Sequence, residues 1–321
     1  MKHPNTAPSC STKKTTIGGQ AIIEGIVMKG PRASCTVVRK SNGELVIRDE
    51  PRTPPAERHP ILGWPLVRGV VTFVDALRDG MEALDYSAKF IDEEVDEVPS
   101  KFEAWLEARL GTEKVTKFLM GLATAFGVVV PVLLFFLLPT LLTSPLPQDT
   151  PQLARNLVEG VVRIVIFLGF MWVISHMKDI RRTFEYHGAE HKTIFCYEAG
   201  EELTVGNVRR QDRFHPRCGT SFLFVVIILS ILISSVVFSF FTPPNAIWRF
   251  IGHLILLPLV VGLSYEINRY AGRVDNGLTR ALRWPGVQVQ HLTVFEPDDD
   301  MIEVAIEAMK RVIPNDDSDN W

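Results

Sequence analysis

The stretch FLMGLATAFGVVVPVLLFFLLPTLL, residues 118–142, decides the fold class of this 321-residue chain. It contains no charged side chain, and it exceeds the roughly 20 residues that an α-helix needs to cross about 30 Å of hydrocarbon. A second stretch, TSFLFVVIILSILISSVVFSFF at 220–241, is equally apolar, and its hydroxyl groups can bond within a helix. Both stretches predict membrane-spanning helices.

Two weaker apolar stretches, residues 157–177 and 247–267, raise the predicted number of spans to four. They are weaker because ionisable residues lie within or near them, mostly toward their ends, where long side chains can reach the interface: Glu159, Arg163, Arg249, His253 and Glu266. The sequence therefore predicts a mainly α membrane protein with about four transmembrane helices in contact with the lipid bilayer. The net charge of −3 gives no case for nucleic-acid binding.

The basic residues predict the orientation, because Lys and Arg in short loops are retained on the cytoplasmic side. The segment 178–217 carries eight of them, whereas the segments 143–156 and 242–246 together carry only Arg155. We therefore expect a multi-pass membrane protein with the segment 178–217 and both termini on the cytoplasmic side. The first sixteen residues lack the apolar core of a secretory signal, so no cleavage is expected. Four cysteines on the cytoplasmic side should stay reduced.

Composition shifts divide the chain into five regions. A hairpin signal, SNG at 41–43, marks a small N-terminal β element, and apolar residues at helical spacing mark an amphipathic helix at 65–91. The predicted regions are a disordered tail at 1–16, the β element and a proline-rich linker at 17–60, amphipathic cytoplasmic helices at 61–115 including a short one at 101–111, a four-span membrane domain at 116–272, and C-terminal cytoplasmic helices with an acidic tail at 273–321.

A metal-binding pattern follows the second span. The segment RRTFEYHGAEHKTIFCYE, residues 181–198, places His187, Glu190 and His191 in the order H-x-x-E-H. Two histidines four residues apart on a helix project from one face, which suits two positions of a tetrahedral metal site. In the inverted-motif zinc peptidases the histidines bind zinc and the glutamate activates water. A juxtamembrane helix with histidines on its polar face would show the same pattern.

A second cluster precedes the third span. The segment RFHPRCGTSF, residues 213–222, supplies His215 and Cys218, which are both good zinc ligands. If the second and third spans are antiparallel neighbours, the two clusters meet at one membrane face. Four ligands would form a closed structural site, whereas three would leave a position for water and allow hydrolysis. The sequence leaves both alternatives open.

Further residues could contribute to this site. Inverted-motif peptidases take a ligand from a downstream glutamate, so Glu266 or Glu198 could serve, although Glu266 could equally pair with a nearby arginine. The glycines of GGQAIIEG would let Glu24 approach a site closely. Cys218, at the start of a helix and near a histidine, could alternatively be a nucleophile.

These motifs belong to longer segments: GGQAIIEGIVMKGP, RGVVTFVDALRDGMEALDYSA, YHGAEHKTI, HPRCGTSFL, SYEINRYAGR and EPDDDMIEVAIEAM. Together they resemble the YqhQ-like proteins, a bacterial membrane family defined by domain of unknown function 1385. The resemblance covers about residues 17–312. It implies an inner-membrane protein of a family commonly labelled predicted metal-dependent enzymes, and it implies no substrate.

The leading hypothesis is a metal-dependent hydrolase at the cytoplasmic membrane face. Its ligands to zinc, or to another divalent transition metal, would be His187 and His191 with His215 or Cys218, and Glu190 would be the general base. The competing hypothesis is a non-catalytic membrane scaffold or partner-binding protein with a closed, structural His/Cys site. A transporter is a third hypothesis, disfavoured because the first and third spans lack ionisable groups.

Overall fold

The computed structural model describes residues 13–90, 112–147 and 149–320, without the side chains of 112–117, 119 and 120. The predicted helix at 101–111 lies outside the described residues. The chain forms two compact units, each built from separate stretches of sequence. Unit 1 comprises Met1–Ile91, Phe170–Leu229 and Pro258–Trp321, and unit 2 comprises Asp92–Gly169 and Ser230–Leu257.

Helices make up most of the described chain. In chain order they are α1 (Pro55–Arg58), α2 (Val67–Ala88), α3 (Thr112–Val132), α4 (Leu138–Thr143), α5 (Gln152–Ser175), α6 (Lys178–Glu198), α7 (Val205–Arg209), α8 (Gly219–Phe240), α9 (Ala246–Arg273), α10 (Gly277–Thr293) and α11 (Asp299–Val312). A π-helical turn, Leu133–Leu137, joins α3 to α4 shortly after Pro131, which lacks the N–H of a regular helix.

The four predicted spans are confirmed as helices that are long and apolar enough to cross a membrane. They lie at Gly121–Thr143, Gln152–Ser175, Gly219–Phe240 and Ala246–Arg273. At most 33% of each apolar window is buried within the protein, so most of this surface is available to lipid. The chain is therefore a mainly α membrane protein, and the spans themselves rest on length and composition.

The predicted N-terminal β element is a four-stranded antiparallel sheet in the order β1 (Gly18–Ile22), β2 (Gly25–Lys29), β3 (Ala33–Arg39) and β4 (Leu45–Pro51). The SNG signal is the turn from β3 to β4, where Gly43 has a φ of 85°. This left-handed conformation suits glycine, which has no Cβ. Consecutive strands pair directly, so the sheet is a simple meander.

Both faces of the sheet are covered within unit 1. Side chains of alternate strand positions, including Met28 and Val37, pack on one face against α6 and α11. On the other face, Val27 and Val38 pack against Ala83 of α2. This packing follows the two-residue period of a strand, which sends successive side chains to opposite faces. The sheet thereby holds α6, which carries the H-x-x-E-H motif, in a fixed orientation.

The two chain ends pair with each other. Residues 13–16, the described part of the predicted disordered tail, are ordered: Thr15 is 2% exposed and donates its hydroxyl to Asp319 Oδ2 at 2.8 Å. In the acidic tail, Asp319 is fully buried and Asn320 forms a β-bridge with Thr15. Each end supplies the hydrogen-bonding partners that the other lacks.

The expectation that ionisable residues of the second and fourth spans reach the interface is wrong for Glu159, Arg163 and Arg249, whereas His253 was predicted to be packed or interfacial and is packed. Glu159, Arg163, Arg249 and His253 are between 2% and 7% exposed. They face one another within unit 2, so their charges are compensated by contact rather than by water.

Candidate metal centre

The α6 helix presents two histidines on one face. His187 and His191 are four residues apart, and their ring centroids are 4.4 Å apart. Tyr186 and Ala189 of the same helix are fully buried in the core against the sheet and α11. Because this core is close-packed, the helix cannot rotate freely, and the two rings keep a fixed direction.

Gly188 allows a neighbouring chain segment to cross α6 closely. A Cβ atom at this position would lie 2.0 Å from the carbonyl oxygen of Phe295. The Phe295 N–H donates to the carbonyl of Phe184 at 3.0 Å, which attaches the crossing segment to the helix. This crossing brings the carbonyl of Thr293, at the end of α10, to His187.

Cys218 joins the two histidines in one group. It immediately precedes α8, and its Sγ lies 3.1 Å from His187 Nε2. The metal-binding atoms of His187, His191 and Cys218 all lie within 4.8 Å of one another. A tetrahedral zinc site needs such atoms about 3.5 Å apart. Small side-chain movements would therefore bring all three around one ion.

Backbone carbonyls determine which nitrogen of each histidine is available. His187 Nδ1 lies 3.0 Å from the Thr293 carbonyl, and His191 Nδ1 lies 2.6 Å from the Arg213 carbonyl. A carbonyl only accepts, so each Nδ1 must donate its hydrogen, and each neutral ring keeps a lone pair on Nε2. His191 Nε2 is buried and has no hydrogen-bonding partner. This orphaned acceptor is what a metal ion would satisfy.

Glu190 lies beside the three side chains and is only half satisfied. Its Oε1 accepts a hydrogen bond from the Gly19 N–H at 2.9 Å, while its Oε2 is buried without a partner. A Cβ atom on Gly19 would come within 2.8 Å of the Glu190 carboxyl carbon, so the missing side chain permits this approach. One carboxylate oxygen is thus oriented by β1, and the other remains available.

His215, the fourth predicted ligand, lies close to this group but outside it. Its ring centroid is 5.5 Å from that of His191. Its Nδ1 accepts from the Arg217 backbone N–H at 3.4 Å, and its Nε2 lies 3.7 Å from Glu198 Oε2. Both ring nitrogens therefore already have partners, and His215 would have to leave them to bind a metal.

The three further carboxylates proposed from the sequence are bound elsewhere. Glu266 forms an ion pair with Arg68, and Glu24 forms one with Arg182. Glu198 accepts from the Thr15 N–H at 2.8 Å and pairs with an arginine of the segment before α8. None of the three joins the group of metal-binding side chains.

The electrostatics of the group favour an ionised thiolate. Burial disfavours the charged form of Cys218, but His187 and His191 outweigh it and hold the pKa of this thiol well below its usual range. Burial also opposes the charged form of His187, yet the Cys218 thiolate outweighs it and raises the His187 pKa to about 9. The thiolate is the form of cysteine that binds metals.

The pKa values of Glu190 and His215 both shift toward the neutral form of the side chain. Burial raises the pKa of Glu190, and the nearby histidines offset this only in part. Burial lowers the pKa of His215 to about 4, although its hydrogen bond to Glu198 opposes the shift. A neutral His215 is consistent with a ring held by hydrogen bonds rather than by a charge.

A cleft of about 290 Å³ opens beside the group. Glu190, His191, His215 and Cys218 all contribute to its lining, together with Gly18 and Gly19 at the start of β1. The cleft therefore borders Glu190 as well as two of the three metal-binding side chains.

Sequence reasoning missed Gln290, which holds the backbone of His215 at both ends. The fully buried Gln290 side chain accepts from the His215 N–H at 2.9 Å and donates to the His215 carbonyl at 2.7 Å. Nothing in the local sequence around α10 indicates this role. The role of Gly19 did have a signal in the sequence, because the glycines of the GGQAIIEG segment predict a close approach of the backbone to the site.

The comparisons with known proteins agree with the resemblance. A family model described as "Protein of unknown function (DUF1385)" matches residues 64–315. The chain is 31% identical over 308 residues to "Uncharacterized protein YqhQ" of Bacillus subtilis (strain 168), covering 92% of each chain. No solved structure matches. The chain therefore belongs to the DUF1385 family of proteins of unknown function.

Proposed function

We propose that this protein is a metal-dependent hydrolase at the cytoplasmic face of the bacterial inner membrane. One observation carries the proposal: Glu190, whose Oε2 is buried and unpartnered, lies beside three converging metal-binding side chains in a cleft. A carboxylate held in this way is suited to accept a proton from water.

The residues fit a divalent transition metal, and zinc best. Two imidazoles and a thiolate are the donors that zinc sites use, and the softness of the thiolate disfavours magnesium or calcium. The orphaned His191 Nε2 provides an independent indication, because a buried acceptor without a partner costs free energy. A bound zinc ion would supply a Lewis acid that lowers the pKa of water.

Each residue would have a distinct role. His187, His191 and Cys218 would hold the ion, with the carbonyls of Thr293 and Arg213 fixing the two imidazoles. Glu190 would take the proton of the attacking water. The Gly19 N–H would keep Glu190 in place by binding its other oxygen.

The number of ligands separates this proposal from the alternative. His215 is engaged by Arg217 and Glu198, so three protein side chains would hold the ion and water could complete its coordination. An open position is the mark of catalytic zinc sites, whereas structural sites use four protein ligands.

A structural role is the second candidate. His191 is 1% exposed and Cys218 is 8% exposed, and this depth is typical of ions that fix a fold. If His215 turned toward the ion, the closed site would join α6 to the segment before α8. The protein would then be a membrane scaffold or partner-binding protein.

The cytoplasmic location is supported by charge. Eight Lys and Arg residues lie in the segment 178–217, which contains most of the site, and such segments are retained in the cytoplasm. Labelling of Cys10 by an impermeant thiol reagent in intact cells would contradict this orientation.

Replacement of Glu190 by Gln tests the proposal. In a hydrolase, Glu190→Gln removes the proton acceptor but no ligand, so bound metal stays near the parent value while complementation of a deletion strain is lost. Glu185→Gln is the matched control, since Glu185 lies on the same helix in a partly exposed pair with Arg181. Full complementation by a metal-loaded Glu190→Gln protein would refute the hydrolase and leave the scaffold.

A further inference from the structure

Unit 2 contains four buried ionisable side chains that the metal centre does not use. Glu159 and Arg163 lie on α5, and Arg249 and His253 lie on α9. Their side chains are between 3% and 9% exposed, although both helices are candidate membrane spans. Charged groups inside a membrane are costly and commonly mark a functional site.

Glu159 lies at the centre of this buried cluster. Its Oε2 accepts from Arg249 Nε at 2.6 Å. Its Oε1 accepts from Arg163 Nη2 at 3.0 Å and from the Thr140 hydroxyl at 2.9 Å, and His253 Nε2 lies 2.8 Å away. Both carboxylate oxygens thus accept hydrogen bonds from positively charged or polar side chains.

Positive charge exceeds negative charge in the cluster. Both guanidinium groups stay protonated. With Glu159 ionised and His253 neutral, two positive charges face one negative charge, and protonation of either group increases the excess. No other carboxylate of the described residues pairs with Arg163 or Arg249. At least one positive charge therefore remains in a setting where unpaired charge is costly.

Aromatic rings compensate this charge only in part. The guanidinium carbon of Arg163 lies 5.3 Å from the ring centroid of Phe136, and that of Arg249 lies 4.9 Å from the ring centroid of Phe238. Such contacts contribute about 0.5–2 kcal/mol each, far less than an ion pair in a low-dielectric setting. An anion would balance the cluster better.

A cavity of about 610 Å³ opens beside Arg249. Arg249 and Thr140 belong both to the cluster and to the cavity lining. Arg249 Nη2 donates to Asn156, whereas its Nη1 makes no hydrogen bond within the described residues. Hydroxyl and amide groups make up much of the remaining lining. The Thr143 and Ser144 hydroxyls already donate to backbone carbonyls, and the Gln152 amide donates to Asn156. The other such groups are those of Thr150, Thr242 and Asn245.

Arg155 adds positive potential at the same cavity without competing for the ligand. Its guanidinium donates to the backbone carbonyls of Thr143, Leu146 and Pro147, so its nitrogens are largely engaged. Arg249 is accordingly the lining arginine with a donor, Nη1, that makes no hydrogen bond within the described residues.

We propose that Arg249 and this cavity form a binding site for a phosphate oxyanion. A guanidinium in a cavity that hydroxyl and amide groups also line, three of them at Thr150, Thr242 and Asn245, matches the tetrahedral, multiply accepting phosphate group. The cavity lies where the turns at 144–146 and 242–245 leave the candidate spans, at the depth expected of lipid headgroups. The phosphate belongs either to a phospholipid or to a soluble anion. This site is independent of the proposed hydrolase.

Thermal unfolding of the full-length protein in a detergent that contains no phosphate tests the proposal. Inorganic phosphate is compared with chloride at equal ionic strength, and phosphatidylglycerol with diacylglycerol of the same acyl chains. One phosphate source should raise the Tm of the parent saturably, by roughly 2–4 °C at ten times its Kd.

The variants separate binding from folding. Arg249→Gln should abolish the shift, but it also breaks the ion pair with Glu159 and could prevent folding. Ala246→Leu keeps every charge and fills the cavity, which Ala246 lines, so it should lose the shift and keep the basal Tm. Ala123→Leu, at an exposed position of the first candidate span, is the matched control and should keep the shift.

The phosphate source that raises the Tm identifies the ligand. A shift with inorganic phosphate identifies a soluble anion, and a shift with phosphatidylglycerol alone identifies a lipid headgroup. Phosphate also stabilises proteins nonspecifically by exclusion from their surface. An equal shift in Ala246→Leu and the parent, or no shift with either source, would therefore overturn the proposal.

Discussion

Two buried polar clusters, one in each unit, differ in what they lack. In the metal centre of unit 1, two acceptor atoms, His191 Nε2 and Glu190 Oε2, have no donor. In the cluster of unit 2, the Glu159 carboxylate accepts from several donors, and Arg163 Nε is buried without an acceptor. Unpaired acceptor atoms are satisfied by binding a cation, and unpaired donor atoms are satisfied by binding an anion.

The comparison shows that the kind of ligand follows from the unsatisfied atoms rather than from residue types alone. Histidine and glutamate occur in both clusters. His253 in unit 2 lies 2.8 Å from Glu159, whereas His191 in unit 1 directs a bare Nε2 into its site. Buried polar groups are normally paired, so an unpaired one identifies the missing partner.

The largest expected effect is loss of metal from unit 1. His191→Ala removes one of three ligands and should lower metal affinity by more than about 100-fold, since even supporting residues contribute 10–100-fold. Metal per chain, measured by elemental analysis of the purified protein, should fall to background and be about one in the parent. His176→Ala, an exposed histidine before α6, should retain the metal.

A large loss of stability is expected in unit 2. Glu159→Ala leaves two guanidinium groups buried without their carboxylate and should cost about 3–5 kcal/mol of unfolding free energy. The midpoint of chemical unfolding in micelles measures this. Asp149→Ala, in an exposed turn of the same unit, should have almost no effect. Equal midpoints for the two variants would show that the cluster contributes nothing to stability.

A smaller loss of stability is expected where the segment at Phe295 crosses α6. Gly188→Ala places a Cβ against the Phe295 carbonyl and should destabilise unit 1 by about 1–3 kcal/mol, the usual cost of overpacking. It should also weaken metal binding, because the crossing segment orients His187. Gly206→Ala in α7 is the control, since nothing lies within 4 Å of its added Cβ. Unchanged stability and metal content in Gly188→Ala would show that close packing of the crossing segment neither stabilises unit 1 nor orients His187.

The sequence predicted what depends on local pattern. Four long apolar stretches and the SNG turn are properties of contiguous residues, and each became the expected element. The H-x-x-E-H spacing likewise brought His187 and His191 together, because helical geometry alone determines that contact.

Contacts between distant residues were not predictable in this way. Gln290 reaches His215 across 75 positions, and Arg249 reaches Glu159 across 90. These pairs depend on how helices pack, and a buried arginine in a span looks the same in sequence as one that reaches the interface. The partnership of His215 with Glu198 was hidden for the same reason.

The ligand set of the metal tests the central claim most directly. We expect X-ray absorption at the zinc edge of the zinc-loaded protein to show one sulfur, two imidazoles and a light, non-imidazole neighbour. The spectrum of His215→Ala should be the same as the parent's, because His215 stays with Glu198 and Arg217. Loss of an imidazole contribution in His215→Ala would show a closed four-ligand site and contradict the open centre on which the hydrolase proposal depends.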